Sequence, residues 1–161
     1  MTSPTLARRP VPAPVRHAAS AVAALPRRSA YAVAALPAAL ASLPGTRVQP
    51  LLARRLLGLD ATRAARFRVA LHALASLPLG LLSLVVALYG WSFVLLNVLY
   101  PVRPLIGVGD GSYEDAWGGP TLAGAWAVHG AGGLVLLVVL AYLLKGITAL
   151  QERLMRRTMA V

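Results

Sequence analysis

Residues Val69–Tyr100 decide the fold class of this chain, and they read VALHALASLPLGLLSLVVALYGWSFVLLNVLY. These 32 residues carry no formal charge apart from what His72 holds, and as one helix they would extend about 48 Å at 1.5 Å per residue. A bilayer core of about 30 Å needs only about 20 apolar residues. We therefore predict a transmembrane helix over residues 79–100, with a kink at Pro78 and Val69–Leu77 at the interface.

A second apolar stretch covers residues 121–144 and is uncharged except for what His129 carries. The loop between the two, residues 101–120, holds Arg103 with Asp110, Glu114 and Asp115. By contrast, residues 1–68 carry 11 basic residues and one acidic residue, and residues 145–161 carry four and one. Because loops rich in Lys and Arg stay in the cytoplasm, we predict a multi-pass protein of the cell membrane with both termini cytoplasmic and the loop outside.

The whole composition agrees with an all-α membrane protein. The chain is 58% hydrophobic and 13% charged, with a mean hydropathy of +0.68, which is far from the average of soluble domains. Its net charge of +11 sits in separate segments and not on one polar face, so we expect the bilayer and its anionic head groups as partners and no nucleic acid. The absence of cysteine excludes disulfides and cysteine zinc sites.

The N-terminal segments are harder to place. Residues 1–29 are rich in Ala, Pro and Arg, and their prolines predict a disordered basic tail. Residues 30–44 form a short apolar run broken by Pro37. A signal peptide is one interpretation of that run, but cleavage would put six arginines on the outer side, so we favour a short re-entrant or interfacial helix.

Residues 30–68 together form a shortened first hairpin with a basic amphipathic helix over Gln49–Arg68. Leu52, Leu56 and Leu59 fall at helical spacing, which indicates a helix lying on the cytoplasmic surface, although a solvated basic linker is the alternative. A second basic helix follows residue 144 and completes the hairpin unit, residues 69–161. The arginines assigned to lipid-surface contact are Arg54, Arg55, Arg63, Arg66, Arg68, Arg153, Arg156 and Arg157.

The chain contains an internal repeat. Shifting it by 41 residues places Arg27–Leu43 over Arg68–Leu84, with an Arg before each run and Leu-Pro shared at Pro37 and Pro78. A basic leucine segment follows each unit, LLARRLLG from Leu51 and RLMRRTMA from Arg153. The chain is thus organised as two membrane hairpins, each followed by a basic helix, with the first hairpin reduced.

This arrangement resembles the actinobacterial putative sensor domain, the membrane module of two-component histidine kinases. The resemblance rests on Leu74–Phe93, Ser112–His129 and Leu144–Arg157. It implies a membrane-embedded sensory or regulatory module. The chain departs from that pattern in its short first hairpin and in carrying no kinase portion before Val161, so we expect a cytoplasmic kinase or regulator as the output partner.

The outer loop and the start of the second span supply the candidate sensing residues, which are Asp110, Tyr113, Glu114, Asp115, Trp117 and His129. Each also has a plainer interpretation. The carboxylates do not have EF-hand spacing and suit a solvated loop that enforces topology. A histidine inside a span is often functional, but a neutral His129 hydrogen-bonded across the hairpin to Asn97 is the simpler prediction.

Small residues recur every four positions at the start of the second span, at Gly119, Ala123, Ala127 and Ala131. Such a stripe lets another helix approach closely. We predict that it packs within the hairpin, together with Asn97, and homodimerisation is the alternative.

No catalytic, metal or cofactor site is expected. The GVGDG segment has neither the strand nor the lysine of a phosphate loop, and the three histidines are dispersed. The sequence therefore predicts a non-enzymatic module that relays an envelope signal to a cytoplasmic partner. The rival interpretations are an accessory subunit of a membrane complex and a decayed remnant without function.

Overall fold

Every regular element in the computed structural model is helical over the described residues, 13–109 and 111–159. The elements are α1 (Ala13–Ala23), α2 (Leu25–Ser42), α3 (Val48–Leu57), α4 (Arg66–Val98), a 3-10 helix (Tyr100–Ile106) and α5 (Leu122–Met159). Both α4 and α5 are long and apolar enough to cross a membrane. The all-α prediction is confirmed.

The helices α4 and α5 form an antiparallel hairpin. At one end the indole Nε1 of Trp126 donates to the Val98 carbonyl at 2.9 Å, and at the other His72 Nδ1 meets Thr158 Oγ1 at 2.8 Å. The two helices approach closely at Gly133, because a Cβ there would lie 3.0 Å from the backbone nitrogen of Val98. The second predicted span and the basic helix after it are one continuous helix, α5.

A third long helix, α2, lies antiparallel to α4. Trp91 Nε1 donates to Ser29 Oγ at 3.0 Å, and Ser83 Oγ donates to the Ala32 carbonyl at 3.1 Å. Gly80 allows close contact, since a Cβ there would lie 3.2 Å from Cα of Leu36. The short helix predicted over residues 30–44 is part of the longer α2, whose alanine-lined face packs on the hairpin.

The predicted disordered tail is also corrected for residues 13–29, which lie in α1 and α2, whereas residues 1–12 lie outside the described residues. Pro14 and Pro26 are each the second residue of a helix. Proline costs little there, because the first-turn N–H groups have no intrahelical partner. Ala21 and Leu25 are buried against Leu140, Ala141 and Leu144, so this segment completes the hairpin core.

The basic amphipathic helix ends at Leu57, well before Arg68. Gly58 follows at a φ of +73°, a left-handed conformation that ends helices and suits glycine. In the next turn Asp60 Oδ1 accepts hydrogen bonds from the backbone N–H and hydroxyl of Thr62, and these bonds lower the pKa of the Asp60 carboxyl. The leucine face packs on Tyr31 and Met155 of the bundle, so it is not the lipid-facing surface that we predicted.

Candidate functional site

The loop between α4 and α5 is anchored on the hairpin by Tyr100, the first residue of the 3-10 helix. Its ring stacks on the imidazole of His129, with centroids 4.0 Å apart and planes inclined by 27°. The guanidinium carbon of Arg103 lies 4.5 Å from the Tyr100 ring centroid, and the ring of Tyr113 lies 6.3 Å away. We call Tyr100, Arg103, Tyr113 and His129 the loop cluster.

Hydrogen bonds fix the orientation of two members of this cluster. Arg103 Nε donates to the Leu96 carbonyl at 2.8 Å, and its Nη2 donates to Asn97 Oδ1 at 3.5 Å. The His129 Nδ1 lies 2.9 Å from the Ala125 carbonyl. Because a carbonyl only accepts, that nitrogen carries the hydrogen, and Nε2 is the acceptor of the neutral ring.

Glycines shape the return of the loop into α5. Gly118 has a φ of +86°, and a Cβ there would overlap the Gly124 carbonyl oxygen. A Cβ at Gly119 would overlap the Tyr113 carbonyl oxygen in the same way. This turn therefore holds Tyr113 close to the start of α5 and accepts only glycine at both positions.

A cavity of about 110 Å³ lies beside the loop cluster. Its lining includes Tyr100, Arg103, Tyr113, Gly109 and Gly111. Ligand pockets for organic molecules usually measure about 300–1,000 Å³, and one water takes about 30 Å³. The cavity therefore suits a small ion or a few waters and is too small for a metabolite.

The predicted sensing residues divide into two groups. Tyr113 and His129 belong to the loop cluster, whereas Glu114 and Asp115 are exposed, and Trp117 is 80% exposed. Asp110 lies outside the described residues. Within the described ranges no three carboxylates or histidines come together as metal ligands.

The predicted hydrogen bond between His129 and Asn97 is wrong. Asn97 Nδ2 donates instead to the Phe93 carbonyl, one turn back in its own helix, at 2.7 Å. Asn97 does contribute to hairpin packing, since a Cβ at Gly133 would lie 3.1 Å from its Cβ. The His129 ring instead stacks on Tyr100. The position of Tyr100 at the end of the first apolar stretch was the sequence signal for this contact.

The predicted small-residue stripe is not the hairpin interface. Ala123, Ala127 and Ala131 are exposed, and Gly119 lies in the turn before α5. The buried positions near this end of α5 are Ala125 and Gly133, and Gly133 faces α4. The sequence shows that small residues recur every four positions. That pattern does not decide which of two adjacent faces of α5 meets the partner helix.

The opposite end of the hairpin is strongly basic. Seven of the eight arginines assigned to lipid contact are exposed and Arg68 is half-buried; the exposed ones are Arg54, Arg55, Arg63, Arg66, Arg153, Arg156 and Arg157. Beyond the exposed Arg66, α4 presents the apolar side chains of Phe67, Leu71 and Leu74 at this end. Charged and apolar surfaces therefore lie side by side at the same height.

Two buried glutamines link the helices at the basic end. Gln49 donates through Nε2 to Ser76 Oγ at 2.8 Å, and Gln151 donates to the Leu79 carbonyl at 3.3 Å. Neither Oε1 accepts a hydrogen bond from the described residues. Each glutamine lies five residues before an exposed arginine pair, so the two basic segments share this feature.

Comparison with family models, curated proteins and solved structures finds no match for this chain.

Proposed function

We propose that this protein is an integral membrane protein whose helices α4 and α5 cross the bilayer. The supporting observation is the exposure of their apolar surface: 22% of the most apolar 18-residue window of α4 is buried, and 33% of that of α5. The core helix of a soluble protein is mostly buried instead. Surface of this kind requires lipid or a protein partner around it.

The charges support one orientation, with the basic end of the hairpin and the C-terminus in the cytoplasm. The start of α2 lies nearer the other end, because the Ser29 hydroxyl accepts the indole N–H of Trp91. The exposed Arg153, Arg156 and Arg157 at the basic end mark the proposed inner head-group boundary. The loop cluster then lies on the outer side.

We further propose that the protein is a sensory or regulatory module that relays an envelope signal to a cytoplasmic kinase or regulator. Tyr100 supports this proposal, because it contacts the loop through Arg103 and α5 through His129. A ligand that moved Arg103 or Tyr113 would act on the contact between both spans. The proposal requires two packings of the hairpin with different affinity for that ligand.

An accessory role in a membrane complex is the second candidate. The exposed positions Ala123, Ala127 and Ala131 support it, since small residues on a lipid-facing surface let another helix approach. The same surface would serve a homodimer.

One experiment separates the two roles. A photoreactive amino acid placed at Arg156 of the full chain, and in a second chain at Ala127, would capture neighbours in native membranes. The sensory role predicts a photocross-link from position 156 to a cytoplasmic protein. The yield of that cross-link should change by about fivefold or more when Tyr100→Leu or His129→Leu disrupts the loop cluster. Trp117→Leu is the control, because the Trp117 side chain is 80% exposed.

The accessory role predicts a membrane neighbour at position 127 whose yield does not depend on Tyr100. A neighbour at position 156 that ignores both loop-cluster variants contradicts relay. Capture of nothing at either position contradicts both roles.

A further inference from the structure

A groove of about 490 Å³ lies between α2 and α3, at the basic end of the molecule. One wall is formed by Ala34, Pro37 and Ala38 of α2, and the other by Val48, Leu51 and Leu52 of α3. The small α2 side chains leave the space, because each alanine ends at Cβ. Val48 and Leu51 are exposed at 44% and 41%, so apolar surface faces outward here.

Arg55 is the charged residue among those that line the groove. Its guanidinium forms no hydrogen bond or ion pair with the described part of the chain. The nearest acid along the chain, Asp60, interacts with Arg54 and Arg63 instead. The groove therefore combines apolar walls with an unneutralised cation.

We propose that this groove binds one acyl chain of an anionic phospholipid, with the lipid phosphate paired to Arg55. A long hydrocarbon matches the walls, and the volume lies in the range of about 300–1,000 Å³ found for ligand sites. A guanidinium pairs with phosphate through two parallel N–H···O bonds. The inference rests on the proposed membrane location, because phospholipids surround the protein there.

The internal repeat supplies matched positions outside the groove. The shift of 41 residues relates Ala34 to Ala75, which is exposed on α4, and Ala38 to the larger Leu79. The basic segments relate Arg55 to Arg157, which is exposed on α5. A lipid that binds any basic or apolar surface would bind at the matched positions of both repeat copies. The proposed site lies in the first copy only.

The test is native mass spectrometry of the full chain released from detergent micelles that contain palmitoyl-oleoyl phosphatidylglycerol, the matched phosphatidylcholine or palmitate. We expect one phosphatidylglycerol per chain. Ala34→Phe fills the groove and should remove that lipid. Arg55→Gln should weaken the binding of phosphatidylglycerol by about tenfold, which is the scale of one charge-assisted hydrogen bond. Ala75→Phe and Arg157→Gln should leave retention unchanged.

Equal retention in wild type, Ala34→Phe and Arg55→Gln would overturn the proposal, and so would retention of phosphatidylcholine as strong as that of phosphatidylglycerol. Preference for palmitate would overturn the assignment to a phospholipid. Arg55→Gln alters an exposed side chain and keeps the test decisive if Ala34→Phe does not fold. Extraction of wild-type membranes with alkaline carbonate tests the membrane location separately.

Discussion

Gly133 shows how strictly one position can control the hairpin. A Cβ there would lie 2.8 Å from Val98 Cγ2 and 3.0 Å from the Val98 backbone nitrogen, so the neighbour that must move includes backbone. We expect Gly133→Val to destabilise the protein by about 1–3 kcal/mol through overpacking. Thermal unfolding in micelles, followed by circular dichroism, measures the loss.

The adjacent glycine is the control for that prediction. Gly132 is exposed, and a Cβ added there meets nothing within 4 Å. Gly132→Val therefore has the same change in helix propensity without the clash. Equal unfolding temperatures for the two variants would show that α5 does not present Gly133 to α4.

A second residue-scale prediction concerns Ser29, whose hydroxyl accepts the half-buried indole N–H of Trp91. We expect Ser29→Ala to cost about 1 kcal/mol of unfolding free energy, because the donor loses its partner. Ser92→Ala is the matched variant, since Ser92 is exposed and bonds only to the Leu88 carbonyl of its own helix. A smaller loss for Ser29→Ala than for Ser92→Ala in denaturant unfolding would count against the Trp91 contact.

Residue pairing was the level at which sequence reasoning succeeded least. Depth along the two spans put His129 within reach of Asn97, and the two do lie near one end of the hairpin. Hydropathy fixes only depth, whereas a contact depends on the rotation of each helix about its axis. That rotation places Gly133 opposite Asn97 and leaves His129 facing the ring of Tyr100.

At the element scale, the position of α2 beside α4 is the feature that sequence reasoning missed and the easiest to test. The chain has no cysteine, so an introduced pair reports without background. We expect Ala32→Cys with Ser83→Cys to form a disulfide under mild oxidation, since Ser83 Oγ lies 3.1 Å from the Ala32 carbonyl. Disulfide formation is measured as the disappearance of both thiols from maleimide labelling.

The control for that pair is Ala32→Cys with Leu82→Cys, because Leu82 is exposed on another side of α4. Disulfide formation as fast in the control pair as in the Ser83 pair would mean that α2 is not held in this register. Cross-linking between chains is checked on a non-reducing gel.

Helix boundaries show what the sequence could and could not predict. The two long apolar helices were predicted because hydropathy over about 20 residues is a strong signal. The helical start of the chain was missed because its prolines were taken to break helices, whereas Pro14 and Pro26 stand where helices begin. The early end of α3 had a signal in Gly58, which the regular leucine spacing outweighed.

At the scale of the whole molecule, the proposed topology makes a direct prediction. In intact cells an impermeant maleimide should label Glu114→Cys in the exposed loop, and it should label Arg156→Cys only after lysis. The opposite pattern would reverse the orientation. Labelling of both in intact cells would contradict a hairpin that spans the membrane, and the cysteine-free parent chain sets the background.

The surface at the basic end constrains how the whole molecule sits in a bilayer. His72 contacts Thr158, so the lower parts of α4 and α5 lie at the same height. There α4 exposes Phe67, Leu71 and Leu74, while α5 exposes Arg153, Arg156 and Arg157. A membrane surface perpendicular to the hairpin axis would either immerse the arginines or leave the α4 side chains in water. For the proposed membrane location we therefore expect the axis to tilt toward the α4 side, so that the head-group plane cuts obliquely across the end of the hairpin.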